Sequence, residues 1–329
     1  DALDGLILLG LEEEADSTRE YIARNLSFDK DIFVKNFEIT IRLLGSLVSS
    51  YQLTGDGRLL ALARDLATRL LPAFDSPTGM PYTYVNLRTG EVRGPVTNPA
   101  EIGTLILEFG AVSRLTGDPV FYDTAKRALV ELFERRSAID LVGQAIDVET
   151  GAWVDSTSHI SGRIDSYYEY LLKGWLLFSD PDLEAMWRTH IAALNEHLAV
   201  EAESGFWYRW VEMRGGEPVA SYFGALDAFF PAVLALSGDL ERAGKLQASC
   251  YRMWNLHGLE PELIDFDVMA VVEGGQAYHL RPEIIESAYY LYHYTKDPKY
   301  LEMGERIFRD LERWCRMVDG GGVGHVDVL

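Results

Sequence analysis

Residues 37–71 read FEITIRLLGSLVSSYQLTGDGRLLALARDLATRLL and join two helical patterns through a short turn. The segment 37–53 is apolar nearly all round and carries small residues, which is typical of a helix buried on every side. The segment 57–72 alternates apolar and charged positions at helical spacing, which is typical of a half-exposed helix. Asp56 stands between them as an N-cap. The stretch therefore predicts a hairpin of one inner and one outer helix.

This hairpin recurs along the chain, with capping aspartates at spacings of 62, 62, 59 and 58 residues after Asp56. The later caps are Asp118 in T-G-D-P, Asp180 in S-D-P, Asp239 in S-G-D and Asp297 in K-D-P. Inner helices are expected near 37–53, 100–115, 164–178, 222–236 and 281–295. Outer helices are expected near 57–72, 119–136, 181–198, 239–255 and 298–315. A repeat of roughly 60 residues without a low-complexity linker favours one closed array, an all-α (α/α) barrel, over two domains.

The connections from outer to inner helices show β-hairpin patterns. Apolar and polar residues alternate at 82–87, 145–148 and 206–210, and each segment is followed by a turn that contains glycine. Every such connection enters an inner helix at its N-terminus. The long connections should therefore lie at one end of the array, and we expect function at that end.

Composition excludes several classes of partner. The chain carries 30 Lys and Arg against 51 Asp and Glu, a net charge of -21, which argues against nucleic acid because like charges repel. No apolar run approaches the about 18 residues of a membrane span. Two cysteines without a C-x-x-C pair indicate neither a thiolate metal site nor a disulfide scaffold. We expect a monomer with no membrane span in this chain and no nucleic-acid partner.

Four acidic residues, Glu38, Glu101, Asp165 and Glu283, share one phase of the repeat and begin inner helices at the long-connection end. One such carboxylate is readily explained by the helix macrodipole, which favours acids in a first turn. Four of them on apolar helices are less readily explained, because burying a charge among apolar residues is costly unless the charge is paired or has a functional role. Three arginines accompany them: Arg42, Arg163 and Arg281.

Carboxylates around a pocket lined by aromatic residues suit glycoside hydrolysis, in which one acid protonates the leaving oxygen and one carboxylate attacks carbon or activates water. An alternative is a sugar isomerase or epimerase on an (α/α) barrel, which would use histidines as acid and base. His159 and His279 lie near the expected site, but they do not share a repeat phase.

Several long motifs resemble family 47 glycoside hydrolases, the class I α-1,2-mannosidases. They are F-E-I-T-I-R-L-L-G-S-L at 37–47, R-L-L-P-A-F-D-S-P-T-G-M-P-Y at 69–82, A-E-I-G-T-L-I-L-E-F at 100–109, R-I-D-S-Y-Y-E-Y-L-L-K at 163–173 and L-R-P-E-I-I-E-S at 280–287. S-F-D-K-D at 27–31 and A-F-F-P at 228–231 resemble the ER-degradation-enhancing mannosidase-like branch.

The resemblance implies an inverting, calcium-dependent hydrolase that removes terminal α-1,2-linked mannose from high-mannose glycans, on an (α/α)7 barrel. Glu38 would be the acid, Asp165 would share or contest that role through a water, and Glu283 would be the base. Inversion requires acid and base carboxyls roughly 6.5–9.5 Å apart. The positions that match sugar-binding or calcium-water-binding residues are Arg42, Glu101, Arg163, Arg281 and Glu286. The partner would be a mannose-containing oligosaccharide. A mannosidase-like lectin that binds mannose without cleaving it is the remaining alternative.

The chain departs from the family pattern at its ends. The calcium-binding threonine lies in a T-E-A-H-P-like segment expected beyond Leu329, and residues 320–329 resemble the hairpin that leads into the last inner helix. We therefore expect residues 1–329 to be a single catalytic domain with about six of seven repeats, lacking the first helix and the calcium-binding segment. The expected location is extracytoplasmic: periplasmic or secreted in a bacterium, or the ER and secretory pathway in a eukaryote.

Overall fold

The computed structural model describes residues 2–317 and 326–328. The hairpin predicted at 320–329 therefore lies outside the described residues, apart from 326–328. The chain forms two compact units. The first comprises Asp1–Arg136, Val142–Ser156 and Lys173–Met186, and the second comprises Ser137–Leu141, Thr157–Leu172 and Trp187–Leu329, as far as these ranges are described.

Helical hairpins make up most of the first unit. Its helices are α1 (Leu3–Leu8), α2 (Glu12–Asn25), α3 (Asn36–Ile39), α4 (Gly45–Thr54), α5 (Gly57–Leu70), α6 (Pro99–Gly103), α7 (Ile106–Thr116) and α8 (Val120–Phe133). A π-helical turn at Thr40–Leu44 joins α3 to α4, and a 3₁₀ turn at Leu71–Phe74 follows α5. Inner helix α4 packs against outer helix α5, and α7 packs against α8, as the repeat predicts.

The second unit repeats this hairpin. Two helices contribute to both units, α9 (Asp165–Phe178) and α10 (Pro181–His197). The second unit continues with α11 (Phe230–Leu236), α12 (Leu240–His257), α13 (Glu283–Thr295) and α14 (Lys299–Cys315). Inner helix α11 packs against α12, and α13 packs against α14. A 3₁₀ turn at Leu226–Phe229 leads into α11.

The five periodic aspartates all bind the starts of outer helices. Asp56 and Asp239 are confirmed as N-caps, whereas Pro119 and Pro298 occupy the N-cap positions of α8 and α14 and the aspartates stand one residue earlier. Each accepts a hydrogen bond from a backbone N–H at the start of an outer helix, at distances of 2.9–3.2 Å. The donors for Asp56, Asp118, Asp180, Asp239 and Asp297 are the amides of Arg58, Val120, Asp182, Arg242 and Lys299, respectively. These bonds satisfy amide groups that a helix N-terminus otherwise leaves unpaired. Pro181 begins α10, whereas Pro119 and Pro298 stand one residue before their helices.

Inner and outer helices differ in burial as the sequence patterns predict. The inner helix α11 buries six consecutive residues, Phe230–Ala235. The outer helix α5 buries only one stripe, which includes Leu59, Ala63 and Leu66, and its other face carries exposed arginines. The inner helix α13 is less buried than expected, because Tyr289 and Tyr294 are 64% and 44% exposed.

The inner helices are interrupted where the sequence predicts continuous ones. The segment 100–115 is divided between α6 and α7 by a non-helical turn at Thr104 and Leu105. The segment predicted as a helix from 222 begins instead with a strand at Tyr222–Gly224. That strand pairs with Leu263–Asp265, so hydrogen bonds to a distant segment outweigh the local helical pattern.

The predicted β-hairpins form small antiparallel sheets within each unit. The first unit contains β1 (Phe33–Lys35), β2 (Tyr84–Asn86), β3 (Val92–Arg93), β4 (Val96–Thr97), β5 (Ala145–Asp147) and β6 (Trp153–Asp155). The second contains β7 (Thr157–Ser158), β8 (Ala199–Ala202), β9 (Gly205–Tyr208), β10 (Trp210–Glu212), β11 (Pro218–Ala220), β12 (Tyr222–Gly224), β13 (Leu263–Asp265), β14 (Ala270–Val271), β15 (Ala277–Tyr278) and β16 (Val326–Asp327). The single strand expected at 206–210 is two strands, β9 and β10, separated at Arg209.

One pairing rule recurs in these sheets. The strand before an inner helix pairs with a strand of a later connection: β1 with β2, β4 with β5, β7 with β10, β12 with β13 and β15 with β16. In the first four pairs the later strand is the first strand of a β-hairpin. The starts of α3, α6, α9 and α11 are therefore each held beside a β-hairpin.

Candidate active site

Two predicted catalytic acids are the first residues of inner helices in the second unit. Asp165 begins α9 and Glu283 begins α13. The Ser166 amide donates to Asp165 Oδ1 at 2.7 Å, and the Ser166 hydroxyl donates to the same oxygen at 3.1 Å. These bonds orient one face of the Asp165 carboxyl.

Both carboxyls have raised proton affinity. Burial raises the pKa of Asp165 to about 6, against the opposing effect of the Ser166 hydrogen bonds. Burial likewise raises the pKa of Glu283 to about 7, and the charges of Glu286 and Asp165 contribute. Glu283 Oε2 is buried and has no hydrogen-bond partner within the described part of the chain. Carboxyls that titrate near neutral pH suit general acid and base roles.

The backbone leading to each acid is in the left-handed region. Arg163, two residues before Asp165, has φ 80°, and Leu280, three residues before Glu283, has φ 54°. Residues other than glycine rarely adopt this conformation, and such strain concentrates at functional sites. Arg163 itself is exposed.

Arg281 is anchored beside Glu283 by a glutamate that the sequence analysis missed. Its Nε lies 3.0 Å from Glu262 Oε1 and its Nη2 lies 2.9 Å from Glu262 Oε2. His279 Nδ1 also lies 3.0 Å from Glu262 Oε1. Burial would raise the pKa of Glu262, but the bonds from Arg281 and His279 lower it below its usual value. The predicted Arg281 is therefore held in one orientation by an ionised partner.

Two further buried acids were also missed. Asp227 lies in the 3₁₀ turn before α11, is fully buried and accepts a bond from the Gly224 amide at 3.0 Å. Burial raises the pKa of Asp227 to about 7. Glu260 is fully buried in the segment between α12 and β13. The sequence feature that could have identified Glu260 and Glu262 is their position in the mostly apolar run 259–264, where a charged carboxyl is costly to bury unless it is paired or functional.

Glu286 follows Glu283 by three residues on α13 and is exposed. Its charge helps to raise the pKa of Glu283. The second unit thus brings together Asp165, Glu283, Arg281 and Glu286 from the predicted set. Both histidines of the isomerase alternative make contacts within the second unit: buried His159 accepts from the Ser161 amide at 3.1 Å, and His279 Nδ1 lies 3.0 Å from Glu262 Oε1.

In the first unit, Glu38 and Arg42 form an ion pair, with Glu38 Oε2 2.9 Å from Arg42 Nε. Glu38 lies on α3 and Arg42 on the π-helical turn, a distortion that is frequent at functional sites. Their side chains are 42% and 56% exposed, so the pair adds little stability. Both residues line a cleft of about 460 Å³ whose other walls are mainly apolar.

Glu101 is engaged by neighbours in the same unit. Its Oε1 lies 2.8 Å from Lys35 Nζ, and Thr97 Oγ1 donates to its Oε2 at 3.1 Å. The Glu101 amide is capped by Asn98 at 3.0 Å. Glu101 is therefore a fixed carboxylate at the start of α6.

The described residues contain no cluster of His, Cys, Asp and Glu side chains of the kind that binds metal. Within 2–317 and 326–328, no three His, Cys, Asp or Glu residues are grouped so that they could hold a metal ion. No helix in this part of the chain is long and apolar enough to cross a membrane.

The model of glycosyl hydrolase family 47 matches residues 1–328. The chain belongs to this family. ER degradation-enhancing alpha-mannosidase-like protein 2 of Mus musculus is 41% identical over 334 residues, covering 97% of this chain and 57% of that relative. Alpha-mannosidase I MNS4 of Arabidopsis thaliana is 40% identical, covering 95% of this chain and 51% of that relative. The chain thus spans a little over half the length of these family 47 relatives.

A solved structure supports the same assignment. The α-1,2-mannosidase from Trichoderma reesei matches with a TM-score of 0.88 at 25% identity, over 99% of this chain and 78% of that one. This match confirms the predicted fold class, the (α/α) barrel of helical hairpins with β-hairpin connections. The family 47 resemblance deduced from the sequence motifs is confirmed as well.

Proposed function

We propose that this protein is an inverting exo-α-1,2-mannosidase that hydrolyses terminal α-1,2-linked mannose of high-mannose N-glycans or related mannosides. Membership of glycosyl hydrolase family 47 supports this reaction class. The observation that carries the proposal is the pair of carboxyls at the starts of α9 and α13. Their pKa values are raised to about 6 and about 7, as acid and base catalysis at neutral pH requires.

Glu283 is the proposed base. In its ionised form it takes a proton from water as that water attacks the anomeric carbon. The first turn of α13 favours a carboxylate there, and the charge of Arg281 opposes the effect of burial on its pKa. Arg281, held by Glu262, is placed to bind a sugar hydroxyl.

The proposed acid is Glu38 or Asp165. The acid must be protonated when the leaving oxygen departs, and the pKa of about 6 leaves Asp165 partly protonated near neutrality. The family resemblance gives the acid role to Glu38, with Asp165 sharing or contesting it through a water. The two candidates are distinguished by comparing Glu38→Gln and Asp165→Asn on two substrates. An activated aryl mannoside has a good leaving group that needs little protonation, whereas mannobiose needs the acid. The variant that loses activity on mannobiose but retains it on the aryl mannoside identifies the acid.

Five residues are proposed to bind the sugar or calcium-bound waters: Arg42, Glu101, Arg163, Arg281 and Glu286. We also propose that the complete protein requires Ca²⁺, and no catalytic step is assigned to the ion. Loss of activity on chelation and recovery with Ca²⁺ would support this requirement, whereas full activity after exhaustive chelation would contradict it.

The substrate and location follow from the relatives. Their names refer to α-mannosidase activity and, in the mouse protein, to ER degradation, so we propose a high-mannose oligosaccharide as substrate and the secretory pathway or another extracytoplasmic compartment as location. We propose further that residues 1–329 act as one catalytic domain and that the protein is a monomer.

The deciding experiment is incubation of the protein with α-1,2-mannobiose, followed by proton NMR of the first product. An inverting enzyme releases β-mannose initially, and Glu283→Gln abolishes release. Initial α-mannose would contradict inversion. Binding of mannobiose without release would favour the lectin-like alternative.

A further inference from the structure

Glu260 is a buried acid to which the proposed reaction assigns no role. It lies between α12 and β13, is 0% exposed, and is flanked by buried Leu259 and Pro261. Neither of its carboxyl oxygens has a hydrogen-bond partner among the described residues. Buried polar groups are nearly always paired, so an unpaired carboxyl at this depth requires an explanation.

The charges around Glu260 are mainly negative. Three carboxylates act on it, Glu283, Glu262 and Asp227, with Glu283 the strongest, and Arg281 is the opposing positive charge. That guanidinium is already bound by both oxygens of Glu262. The uncharged titratable neighbours are Cys250 on α12 and Tyr278 on β15.

Burial and these neighbours disfavour the ionised form of Glu260. An isolated carboxylate in an apolar interior is far more costly than a neutral carboxylic acid, and adjacent like charges add to that cost. Burial and the charge of Glu283 accordingly raise the pKa of Glu260 well above its usual value.

Glu283 differs from Glu260 in two ways that favour its ionisation. It begins α13, where backbone amides stabilise a carboxylate, and it is only partly buried. Its inner oxygen, Oε2, is nevertheless buried and makes no hydrogen bond to any residue in 2–317 or 326–328. Of the two acids, Glu283 therefore loses its proton first.

We propose that Glu260 is a positioning residue for the candidate base: it stays protonated in the interior beside Glu283, and the two carboxyls together carry one negative charge at working pH. The role in hydrolysis rests on the proposed function of Glu283. The neutral acid leaves the base free to ionise without a second buried charge beside it. Ionisation of Glu260 at higher pH would place two like charges together and disturb the base.

The first test is denaturant unfolding as a function of pH, comparing Glu260→Gln with the parent protein. Above about pH 4.5 the parent protein must bind a proton at Glu260 when it folds, whereas glutamine does not titrate. The ratio of the variant's folding equilibrium constant to that of the parent should therefore rise roughly tenfold per pH unit above that point. The matched control is Glu273→Gln at an exposed loop position, which should show no such trend. A variant that is less stable at every pH would overturn the proposal, because it would indicate an ionised and paired Glu260.

The second test is infrared difference spectroscopy of the carboxylic acid C=O stretch, with Glu260→Gln and Asp227→Asn used to assign the bands. A Glu260 band should persist at neutral pH and should titrate at a lower pH in Glu283→Gln, since the neighbouring charge is gone. Absence of the band, or a midpoint indifferent to Glu283, would overturn the proposal. If Glu260→Gln does not fold, the band is followed in the parent protein and in Glu283→Gln.

Neither test needs turnover, so failure of the proposed hydrolase activity leaves both results interpretable. If mannobiose is hydrolysed, Glu260→Gln should retain the acid limb of the pH profile, because the side chain at position 260 is neutral in both proteins over that range. A shift of the acid limb to lower pH in Glu260→Gln would mean that Glu260 carries a negative charge beside Glu283 at working pH, which contradicts the positioning role.

Discussion

Arg281 binds Glu262 through two parallel contacts, Nε to Oε1 at 3.0 Å and Nη2 to Oε2 at 2.9 Å. This planar arrangement fixes both the position and the tilt of the guanidinium. Arg281 stands two residues before Glu283, and its charge opposes the rise in the pKa of that residue. Glu262 therefore acts on the candidate base by holding Arg281.

Replacing Glu262 by glutamine should disturb the base without removing any group that touches the reacting atoms. We expect kcat/KM for mannobiose to fall roughly 100-fold, the scale associated with small misplacements in an active site. The acid limb should also move to lower pH, because Arg281 is released from its partner and one negative charge is lost. Kinetics across a pH series measure both effects.

The matched control is Glu212→Gln in the same unit. Glu212 also pairs with an arginine, Arg214, at 3.0 Å, but that arginine is 65% exposed. Its replacement should leave both kcat/KM and the acid limb unchanged. Equal losses of kcat/KM in Glu262→Gln and Glu212→Gln would show that Glu262 acts only through general stability and not by holding Arg281 beside the base.

The pH profile of hydrolysis should have an acid limb set by Glu283. A base must be ionised, and the pKa of Glu283 in the folded protein is about 7 because of burial. With Glu38 as the acid, activity should therefore rise through about pH 7 and fall about tenfold per unit below it. With Asp165 as the acid, whose pKa is about 6, activity should instead peak between about pH 6 and pH 7. The proposed acid limits activity on the alkaline side. A profile that stays flat from pH 5 to pH 8 would contradict Glu283 as base.

Much of the fold is encoded in short-range sequence features. Asp56 and Asp239 recur at the repeat spacing because every outer helix begins with the same unpaired amides. Asp165 and Glu283 could be identified because they share a repeat phase at the starts of inner helices. Their raised pKa values could not, since these depend on burial among segments distant in sequence.

Other features were set by tertiary contacts. The strand at Tyr222–Gly224 replaced part of a predicted helix because Leu263–Asp265 offers backbone hydrogen bonds. Asp227, Glu260 and Glu262 lie in connections or turns outside the repeat phase, so periodicity gave no reason to select them. Their importance follows from burial and from the contacts of Arg281.

Ser287 should contribute to stability more than its size suggests. It is buried on α13, one turn after Glu283, donates to the Ala228 carbonyl at 2.5 Å and accepts from the Ala232 amide at 3.1 Å. Ser287→Ala leaves both groups without this partner, and we expect a loss of about 1–3 kcal/mol in the free energy of unfolding. Ser237→Ala removes only a bond to Leu234 within one turn, and denaturant titration should show a change within about 0.5 kcal/mol.

The small residues of inner helices allow close packing, and Gly110 on α7 provides the sharpest test. A Cβ there would lie 2.4 Å from Phe178 Cζ. The ring of Phe178 is bracketed by Tyr122, at a centroid distance of 5.1 Å, and by Arg114, 5.1 Å from its centre, so it has little room to move. We expect Gly110→Ala to lower the free energy of unfolding by about 1–3 kcal/mol despite the higher helix propensity of alanine.

The matched control for Gly110→Ala is Gly304→Ala on outer helix α14, where, apart from its own helix backbone and chain neighbours, no described residue has an atom within 4 Å of the added Cβ. Alanine restricts the unfolded chain and favours the helix without any steric cost, so this variant should gain about 0.5–1 kcal/mol. Denaturant unfolding of both variants measures the difference. Because the two changes are chemically identical, changes of opposite sign in the free energy of unfolding would be due to the close packing of the inner helix. Stabilisation by both variants would mean that Phe178 moves aside and that α7 is not closely packed.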